Sequence, residues 1–219
     1  AGRGRRGRGW ESPAGINIYY TLMLKPDFSS DCAPMLTLVM ALAVAKGIRQ
    51  TLRRDSEEAA AKVGIKWPND IVVDGKKVCG ILTEMSMEQG YIQHIVIGVG
   101  INVRKQEFPE EIRDRAAAID EQCGFRISRS QLIADIMEAF EEDYEIFLRT
   151  HDLKGLRASY AELLVNQDRE VCVLDPKGEY RGIARGINDQ GELLVERQDG
   201  TVEEVYAGEV SVRGIYGYV

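Results

Sequence analysis

The sequence predicts an α+β fold in which a mixed central sheet is flanked by helices and followed by a small all-β domain. Three observations indicate this. The segment of about 35–53 is apolar nearly all round, which predicts a buried helix. Strand patterns then occupy most of 63–103, joined by turn signals. From about Asn166 the strands become short, with a turn every 10 residues or so. We therefore predict an α+β domain of residues 1–165 and a β domain of residues 166–219.

The elements of the first domain follow in chain order. Ser29, Ser30 and Asp31 offer an N-cap for the apolar helix, with Pro34 in its first turn. The predicted strands are GINIYYTLMLKP (15–26), VGIKW (63–67), DIVVD (70–74), KVCGILTEMSME (77–88) and YIQHIVIGVGINV (91–103). Amphipathic helices are predicted at 108–119 and 128–148, the second capped by Ser128 or Ser130, and a shorter one at about 153–164.

Composition and charge narrow the class of protein. The net charge is −7, yet Arg3, Arg5, Arg6 and Arg8 concentrate positive charge ahead of the first acid, Glu11. An acidic body with one basic segment indicates a local anion site rather than a general nucleic-acid surface. The most apolar stretch, 35–45, is too short to span a bilayer, so no membrane partner is expected.

Cysteine usage indicates the compartment. The four cysteines (Cys32, Cys79, Cys123, Cys172) lie far apart in the sequence, and none belongs to a CxxC pair. This spacing is typical of reduced thiols in a cytoplasmic protein and not of a zinc site. The two histidines are isolated and belong to no hydrolase or metalloprotease motif.

The opening segment AGRGRRGRGW contains a literal G-x-G-x-x-G, but it runs into Trp10, Glu11, Ser12 and Pro13 instead of opening a helix. A dinucleotide-binding turn therefore fails on context. Glycines let backbone N–H groups approach an anion, and arginines close over it with forked donors. The alternative from these residues alone is a disordered basic tail, against which the large aromatic Trp10 argues.

Two further segments contain residues that could contact a ligand. In Ile65-Lys66-Trp67-Pro68-Asn69-Asp70, Lys66 ends a strand and faces away from its neighbours, where it either serves an anion or is an ordinary surface lysine. In Gly98-Val99-Gly100-Ile101-Asn102, alternate glycines leave one strand face without side chains, and Gly80 offers a similar spot. Such a face suits a flat ligand or a close packing contact.

Taken together, GRGRRGRGW, KWPNDI, CGILTE and IVIGVGINV, in this order, resemble the catalytic core of the biotin protein ligases. The tail GIARGINDQGELLVERQDGTVEEVYAGEVSVR is similar to the family's C-terminal SH3-like domain. The resemblance implies a class II synthetase-like core, shared with lipoate ligases, and a small SH3-like β-barrel. It also implies a ligase that converts biotin and MgATP to biotinoyl-5′-AMP and passes biotin to a lysine of a biotin carboxyl carrier domain.

The resemblance also implies site residues. Lys66 and Arg5 are expected to be catalytic, and biotin and its adenylate are expected to contact seven residues: Arg3, Gly4, Arg5, Arg6, Lys66, Gly80 and Gly100. Trp10, Asn69 and Asn102 are expected at the nucleotide, and the Arg104–Glu110 region over the adenine. Biotin and ATP enter as substrates with Mg²⁺, and no protein ligand is assigned to a metal. A homodimer is a further expectation.

Members of the family carry a Ser/Thr-rich strand and a glutamine ahead of the arginine loop, which these 219 residues do not include. No winged helix is present either, so no DNA partner is expected of this chain. Two other readings stay open. One is a lipoyl or octanoyl ligase on the same core, and the other is a catalytically silent arginine-loop module that binds nucleic acid.

Overall fold

A computed structural model describes residues 2–4, 7, 9–175, 178–207 and 211–214, with Arg3, Ser211 and Arg213 described by their backbone alone. In the N-terminal part, the strands are β1 (Gly2–Arg3), β2 (Gly9–Trp10), β3 (Ile18–Leu24), β4 (Val63–Lys66), β5 (Asp70–Val73), β6 (Lys76–Glu88) and β7 (Tyr91–Ile101). The helices are α1 (Met35–Arg53), α2 (Glu57–Ala61), α3 (Ile119–Cys123), α4 (Arg129–Thr150) and α5 (Arg157–Leu163), with a short 3₁₀ helix at Ser30–Cys32. The C-terminal strands are β8 (Glu170–Leu174), β9 (Tyr180–Ile187), β10 (Leu193–Glu196), β11 (Val202–Val205) and β12 (Ser211–Gly214).

The central sheet has the order β3-β7-β6-β5-β4. All ladders between these described strands are antiparallel, and parallel pairing is confined to isolated bridges at Ile65/Leu164 and Lys77/Ala116. Alternate residues of β7 are buried on one face, where Ile95, Ile97 and Val99 pack into the helical layer. The opposite face is left open for a cleft. The predicted α+β class with helices against a central sheet is confirmed. The sheet was predicted to be mixed, but the ladders between its described strands are antiparallel because each pairs with a strand that runs the opposite way.

Helix α1 forms the centre of the core. Its bounds match the predicted 35–53, and most of its residues are buried between the sheet and α4. The helices approach closely at Gly47, where an added Cβ would lie 2.8 Å or less from the backbone of Ile136. The stretch Ser30–Arg53 is longer than the apolar segment considered above, and by length and composition it is apolar enough to cross a membrane. However, 72% of its most apolar window is buried inside the protein, as in the core helix of a soluble fold.

Two local predictions were wrong. Ser29 caps the 3₁₀ helix by accepting from the Asp31 N–H, whereas α1 begins after Pro34 without a side-chain cap. The predicted helix at 108–119 is absent, and residues 110–115 form turns. A long-range contact replaces the helix: the segment is hydrogen-bonded to β6, because Lys77 N donates to Arg115 O and Ala117 N donates to Lys77 O. The cap of α4 by Ser128 is confirmed.

The C-terminal residues form a second five-stranded antiparallel sheet, of order β11-β10-β9-β8-β12. Its buried residues Val171, Val173, Ala184 and Val195 belong to the same apolar core as α1. A C-terminal β domain is thus confirmed. The boundary between residues 165 and 166 and the SH3-like closure of the sheet stay predictions.

The α1–α4 contact contains a buried carboxylate whose removal we expect to destabilise the protein. Asp135, 1% exposed, accepts from Thr51 Oγ1 at 2.6 Å and from both terminal nitrogens of Arg54. Burial opposes its ionisation, but these bonds and one from Gln131 outweigh burial and hold the pKa of Asp135 below its usual range. Asp135→Ala is expected to lower the free energy of unfolding by about 2 kcal/mol at pH 7, because buried Thr51 loses its acceptor.

The difference should depend on pH with a definite sign. A carboxyl whose folded-state pKa lies below the unfolded value of about 3.9 stabilises the fold above that pH, and loses this contribution as pH falls through the folded-state pKa. Urea unfolding of the parent and Asp135→Ala at pH 7 and pH 3 measures it, with exposed Glu141→Ala as control. A difference that is constant with pH would contradict the ionic role.

Candidate active site

A cleft of about 1200 Å³ lies on the open face of the central sheet. One row of Cα partners crosses all five strands beneath it: Lys66, Asp70, Gly80, Gly100 and Tyr19. The antiparallel register therefore brings the end of KWPND and the two glycine motifs onto one line. The residues at both ends of this row have side chains, whereas the two in the middle, Gly80 and Gly100, are glycines and leave the sheet uncovered there.

The cleft brings together most of the residues predicted for the site. Those lining it are Gly4, Trp10, Lys66, Asn69, Gly80, Gly100 and Asn102. The ends of the arginine loop are paired, since Gly2 and Arg3 form a ladder with Trp10 and Gly9. The side chain of Arg3, and Arg5 and Arg6 altogether, lie outside the described residues, so their roles stay predictions.

The bare centre of the row is covered by the Trp10 indole. A Cβ placed on Gly100 would lie 2.7 Å from Trp10 Cε2 and Nε1, and one placed on Gly80 would lie 2.8 Å from Trp10 Cζ3. Only glycines permit so close an approach of a flat ring to the sheet. Trp10 Nε1 is buried and has no hydrogen-bond partner within the described part of the chain, which leaves a donor for a ligand.

This glycine floor supports a matched test. Gly100→Ala places a methyl group against the indole, whereas a Cβ on Gly98 of the same strand meets its nearest neighbour, Leu82 O, at 3.7 Å. We expect Gly100→Ala to weaken the binding of ligand to the cleft about tenfold, because overpacking costs about 1–3 kcal/mol. Gly98 also lines the cleft, but a methyl group there does not meet the indole, so Gly98→Ala should weaken biotin binding less than Gly100→Ala in titration calorimetry. Equal affinities of the two variants would contradict the account of the floor.

Lys66, the last residue of β4, is 6% exposed and lines the cleft. The turn after it is tied to β6, because Asn69 Nδ2 donates to Ile81 O at 2.9 Å and Ile81 N donates to Asn69 O at 3.0 Å. The observed bond of the Asn69 amide is thus structural, although the residue borders the cleft. Asn102, 5% exposed, is held by its backbone between Val78 and Ile119.

Sequence reasoning missed a second lysine of the cleft, Lys77. Strict alternation from Gly80 would place Lys77 on the opposite face of β6, but the register with β5 shifts between Ile71 and Val72. Ile71 pairs with Cys79 and Val72 with Lys77, so the intervening residue bulges and Lys77 turns to the cleft face. Its Nζ lies 2.5 Å from Asp70 Oδ1 and 5.4 Å from the centre of the Trp10 ring.

The segment 108–116 forms another wall. Phe108, Ile112 and Arg115 line the cleft, and the backbone bonds to Lys77 described above hold them there. Phe108 and Pro109 belong to the region predicted to cover an adenine, whereas Arg104 is paired with Asp120 at 2.6 Å. Ile112 and Arg115 lie beyond that region, in the segment that was predicted to be a helix, and their place in the cleft was not predicted.

Burial disfavours a thiolate nucleophile beneath the floor. Burial raises the pKa of the Cys79 thiol far above its usual range, so this thiol stays protonated. Within the described ranges, no three His, Cys, Asp or Glu side chains are grouped so that they could hold a metal ion. The described lining carries charges of both signs: Lys66, Lys77 and Arg115 are basic, and the acids are Glu11, Asp70, Glu84 and Glu111. The groups that could contact an anion are the two ammonium groups, the Arg115 guanidinium, the Trp10 indole N–H and the backbone of the arginine–glycine loop.

Comparisons with known proteins show which family the chain is similar to. A sequence model described as the biotin/lipoate A/B protein ligase family matches residues 1–102, and one described as the biotin protein ligase C terminal domain matches residues 168–213. A biotin–[acetyl-CoA-carboxylase] ligase of Mycobacterium tuberculosis is 31% identical over 96% of this chain and 74% of its own length. The chain belongs to the biotin protein ligase family.

Two other similarities extend the comparison. The bifunctional ligase/repressor BirA of Bacillus spizizenii is 37% identical over 97% of this chain, which spans 63% of the length of that relative. Among solved structures, the biotin protein ligase from Aquifex aeolicus in complex with biotin and ATP aligns with a TM-score of 0.79 and 28% identity. That alignment covers 97% of this chain and 84% of the Aquifex chain. Membership of the biotin protein ligase family thus extends over both the cleft and the C-terminal sheet.

Proposed function

We propose that this chain activates biotin with ATP to biotinoyl-5′-AMP and transfers biotin to a lysine of a biotin carboxyl carrier domain. The observation that carries the proposal is the convergence of Lys66, Lys77 and the Trp10-covered glycine floor in one cleft of a biotin protein ligase family member. The similarity to the Aquifex ligase solved with biotin and ATP supports the same substrates here.

The chemistry of adenylation explains why cations are needed. A biotin carboxylate oxygen attacks the α-phosphorus of ATP, the P–O bond to pyrophosphate breaks, and pyrophosphate leaves. Two anions resist that approach, and charge builds on the phosphoryl oxygens in the transition state. Fixed ammonium and guanidinium groups in a partly dry cleft offset the repulsion without reorganising. Lys66 and Lys77 are the described groups placed for this role, and Arg5, with Arg3 and Arg6, is proposed to close from the loop.

The remaining residues serve binding. Gly80 and Gly100 keep the floor flat, and Trp10 offers a ring face and an unpartnered N–H to the nucleotide. Phe108 and Ile112 are proposed to exclude water from the adenine. Asn69 and Asn102 fix the strand ends that border the nucleotide. Mg²⁺ is proposed to enter with the phosphates of ATP as part of the substrate.

The second step is acyl transfer. The amine of the carrier lysine attacks the acyl carbon of biotinoyl-AMP, an amide bond forms, AMP leaves and the nitrogen loses a proton. An adenylate hydrolyses in water, so closure of the cleft protects it until the carrier docks. We propose a cytoplasmic location, supported by four free cysteines and by the burial of α1 within the core.

The partners of the chain other than biotin and ATP are predictions. A homodimer and the absence of a DNA partner stay predictions, and some relatives are named repressors as well as ligases. A lipoyl or octanoyl ligase is the second candidate function, because the model matching residues 1–102 describes biotin and lipoate ligases together.

Pyrophosphate release separates these candidates. The chain is mixed with MgATP and biotin, octanoate, lipoate or no acid, and pyrophosphate is measured enzymatically. The proposal expects release with biotin that exceeds release under every other condition by at least about 100-fold, which is the order of discrimination that the shape and apolar contacts of a pocket give. Release with octanoate or lipoate instead would establish the second candidate, and binding of oligonucleotides without any release would establish the silent module.

A further inference from the structure

The outer edge of the central sheet, next to Lys66, is bonded to the C-terminal part of the chain. We propose that the C-terminal β domain positions Lys66 for adenylation through Trp67, so that docking of this domain sets the rate of the first chemical step. The inference rests on the proposed function and names Trp67 as a positioning residue, since Trp67 is not among the residues that line the cleft. Three sets of contacts support it.

The first set flanks Lys66 along the backbone. Strand β4 is the outermost strand, so its free edge has no strand partner within the central sheet. The segment leading to the C-terminal domain occupies that edge: Val165 N donates to Ile65 O at 2.9 Å, and Trp67 N donates to Asn166 Oδ1 at 3.1 Å. These bonds lie immediately before and after Lys66, so the path of its backbone follows residues 165 and 166.

The second contact reaches into the C-terminal sheet itself. The Trp67 indole is 2% exposed, and its Nε1 donates to Gly191 O at 2.9 Å. Gly191 lies in the turn between β9 and β10. A buried donor and acceptor that separate each lose a bond that water cannot replace, so this link resists displacement.

The third set makes the turn itself rigid. Asn188 Oδ1 accepts from Gln190 N and Glu192 N, both at 3.0 Å, and Asp189 O accepts from Leu153 N at 2.8 Å. Gly191 has a φ of +80°, and a Cβ there would lie 2.8 Å from Leu153 and 2.9 Å from Leu38 of α1. The turn therefore packs against Leu38 and Leu153 and also binds the Trp67 indole. A shift of the C-terminal sheet would move this turn, and with it the residue next to Lys66.

The consequence is kinetic. Lys66 acts on atoms that must be held within about 0.5 Å, and a misplacement of about 1 Å costs on the order of 10²-fold in rate. Trp67→Phe keeps the buried ring and removes the donor to Gly191. We expect it to lower kcat for biotin-dependent pyrophosphate release about tenfold, with the KM values for biotin and ATP within about twofold of the parent.

Two further variants separate positioning from stability. Val173→Ala removes buried methyl groups in β8, which lies two strands from β10. We expect it to lower the Tm about as much as Trp67→Phe does, and it therefore serves as the control for stability. It should keep the parental kcat at a temperature where all proteins are folded. Asn166→Ala removes the second anchor of Trp67 and should reproduce the loss of kcat.

The outcomes distinguish the inference from the function on which it rests. A parent without biotin-dependent pyrophosphate release overturns the proposed function and the inference with it. An active parent whose Trp67→Phe and Asn166→Ala variants keep the parental kcat overturns the inference alone. So does a loss of kcat that Val173→Ala reproduces, because the effect would then be one of general stability.

Discussion

Lys66→Met is expected to lower kcat for biotinoyl-AMP formation by about 10²–10³-fold, the usual effect of removing one group that stabilises transition-state charge. Lys66 is 6% exposed at the end of β4, and methionine keeps the buried apolar stem while removing the ammonium group. The variant should therefore fold. Single-turnover mixing with MgATP and biotin, followed by mass spectrometry of the adenylate, measures the effect.

The control for this substitution is Lys62→Met. Lys62 is exposed and pairs with Glu58 across one helical turn, so its loss should leave the adenylation rate within about twofold of the parent. Formation of adenylate by Lys66→Met at a near-parental rate would show that Lys66 is a structural residue of the cleft wall and that its catalytic assignment is wrong.

Lys77→Met is expected to be almost as damaging, about 10²-fold in kcat/KM for biotin. Its ammonium group is paired with Asp70 and faces the Trp10 ring, so its removal takes away positive charge that offsets the Asp70 carboxylate at the cleft. That carboxylate would repel the incoming biotin carboxylate and the ATP phosphates. Pyrophosphate release at varied biotin concentration gives the value.

Two further variants test whether the loss of activity comes from the charge of Lys77 beside Asp70. Lys76→Met changes the neighbouring, exposed lysine and should leave kcat/KM unchanged. Asp70→Asn introduced into Lys77→Met should restore roughly tenfold of the lost activity, because it removes the repelling charge. Because Lys77 is also proposed to offset phosphoryl charge directly, this recovery should be partial. No recovery in the double variant would contradict the part of the effect that is assigned to Asp70.

The sequence was sufficient where local pattern and tertiary structure agree. The apolar segment 35–53 became α1 with those bounds, and alternation correctly placed Gly98 and Gly100 on one bare face of β7. The motifs KWPND and IVIGVGIN also predicted the contents of the cleft. Which glycines lie opposite each other needed the register, since Gly80 and Gly100 are cross-strand partners only through the pairing of β6 with β7.

The failures have a common physical cause, which is long-range pairing. Lys77 faces the cleft because of a bulge opposite β5, and the local sequence KKVCG does not predict a bulge. The predicted helix at 108–119 has a helical pattern, yet two backbone bonds to Lys77 hold it as turns. Trp67 belongs to the KWPND motif, but its bond to Gly191 joins residues 124 positions apart. Local sequence does not encode such contacts.

The central claim is that this chain carries out both steps of biotin transfer, and one measurement tests it most directly. The chain is incubated with MgATP and biotin, the adenylate is quantified by mass spectrometry, and a biotin carboxyl carrier domain is then added. The account predicts that biotinoyl-AMP accumulates first and disappears as one biotin appears on the carrier, and that a carrier with its acceptor lysine changed to arginine stays unmodified. Adenylate that never forms with biotin, or that persists beside an unmodified native carrier, would contradict the account.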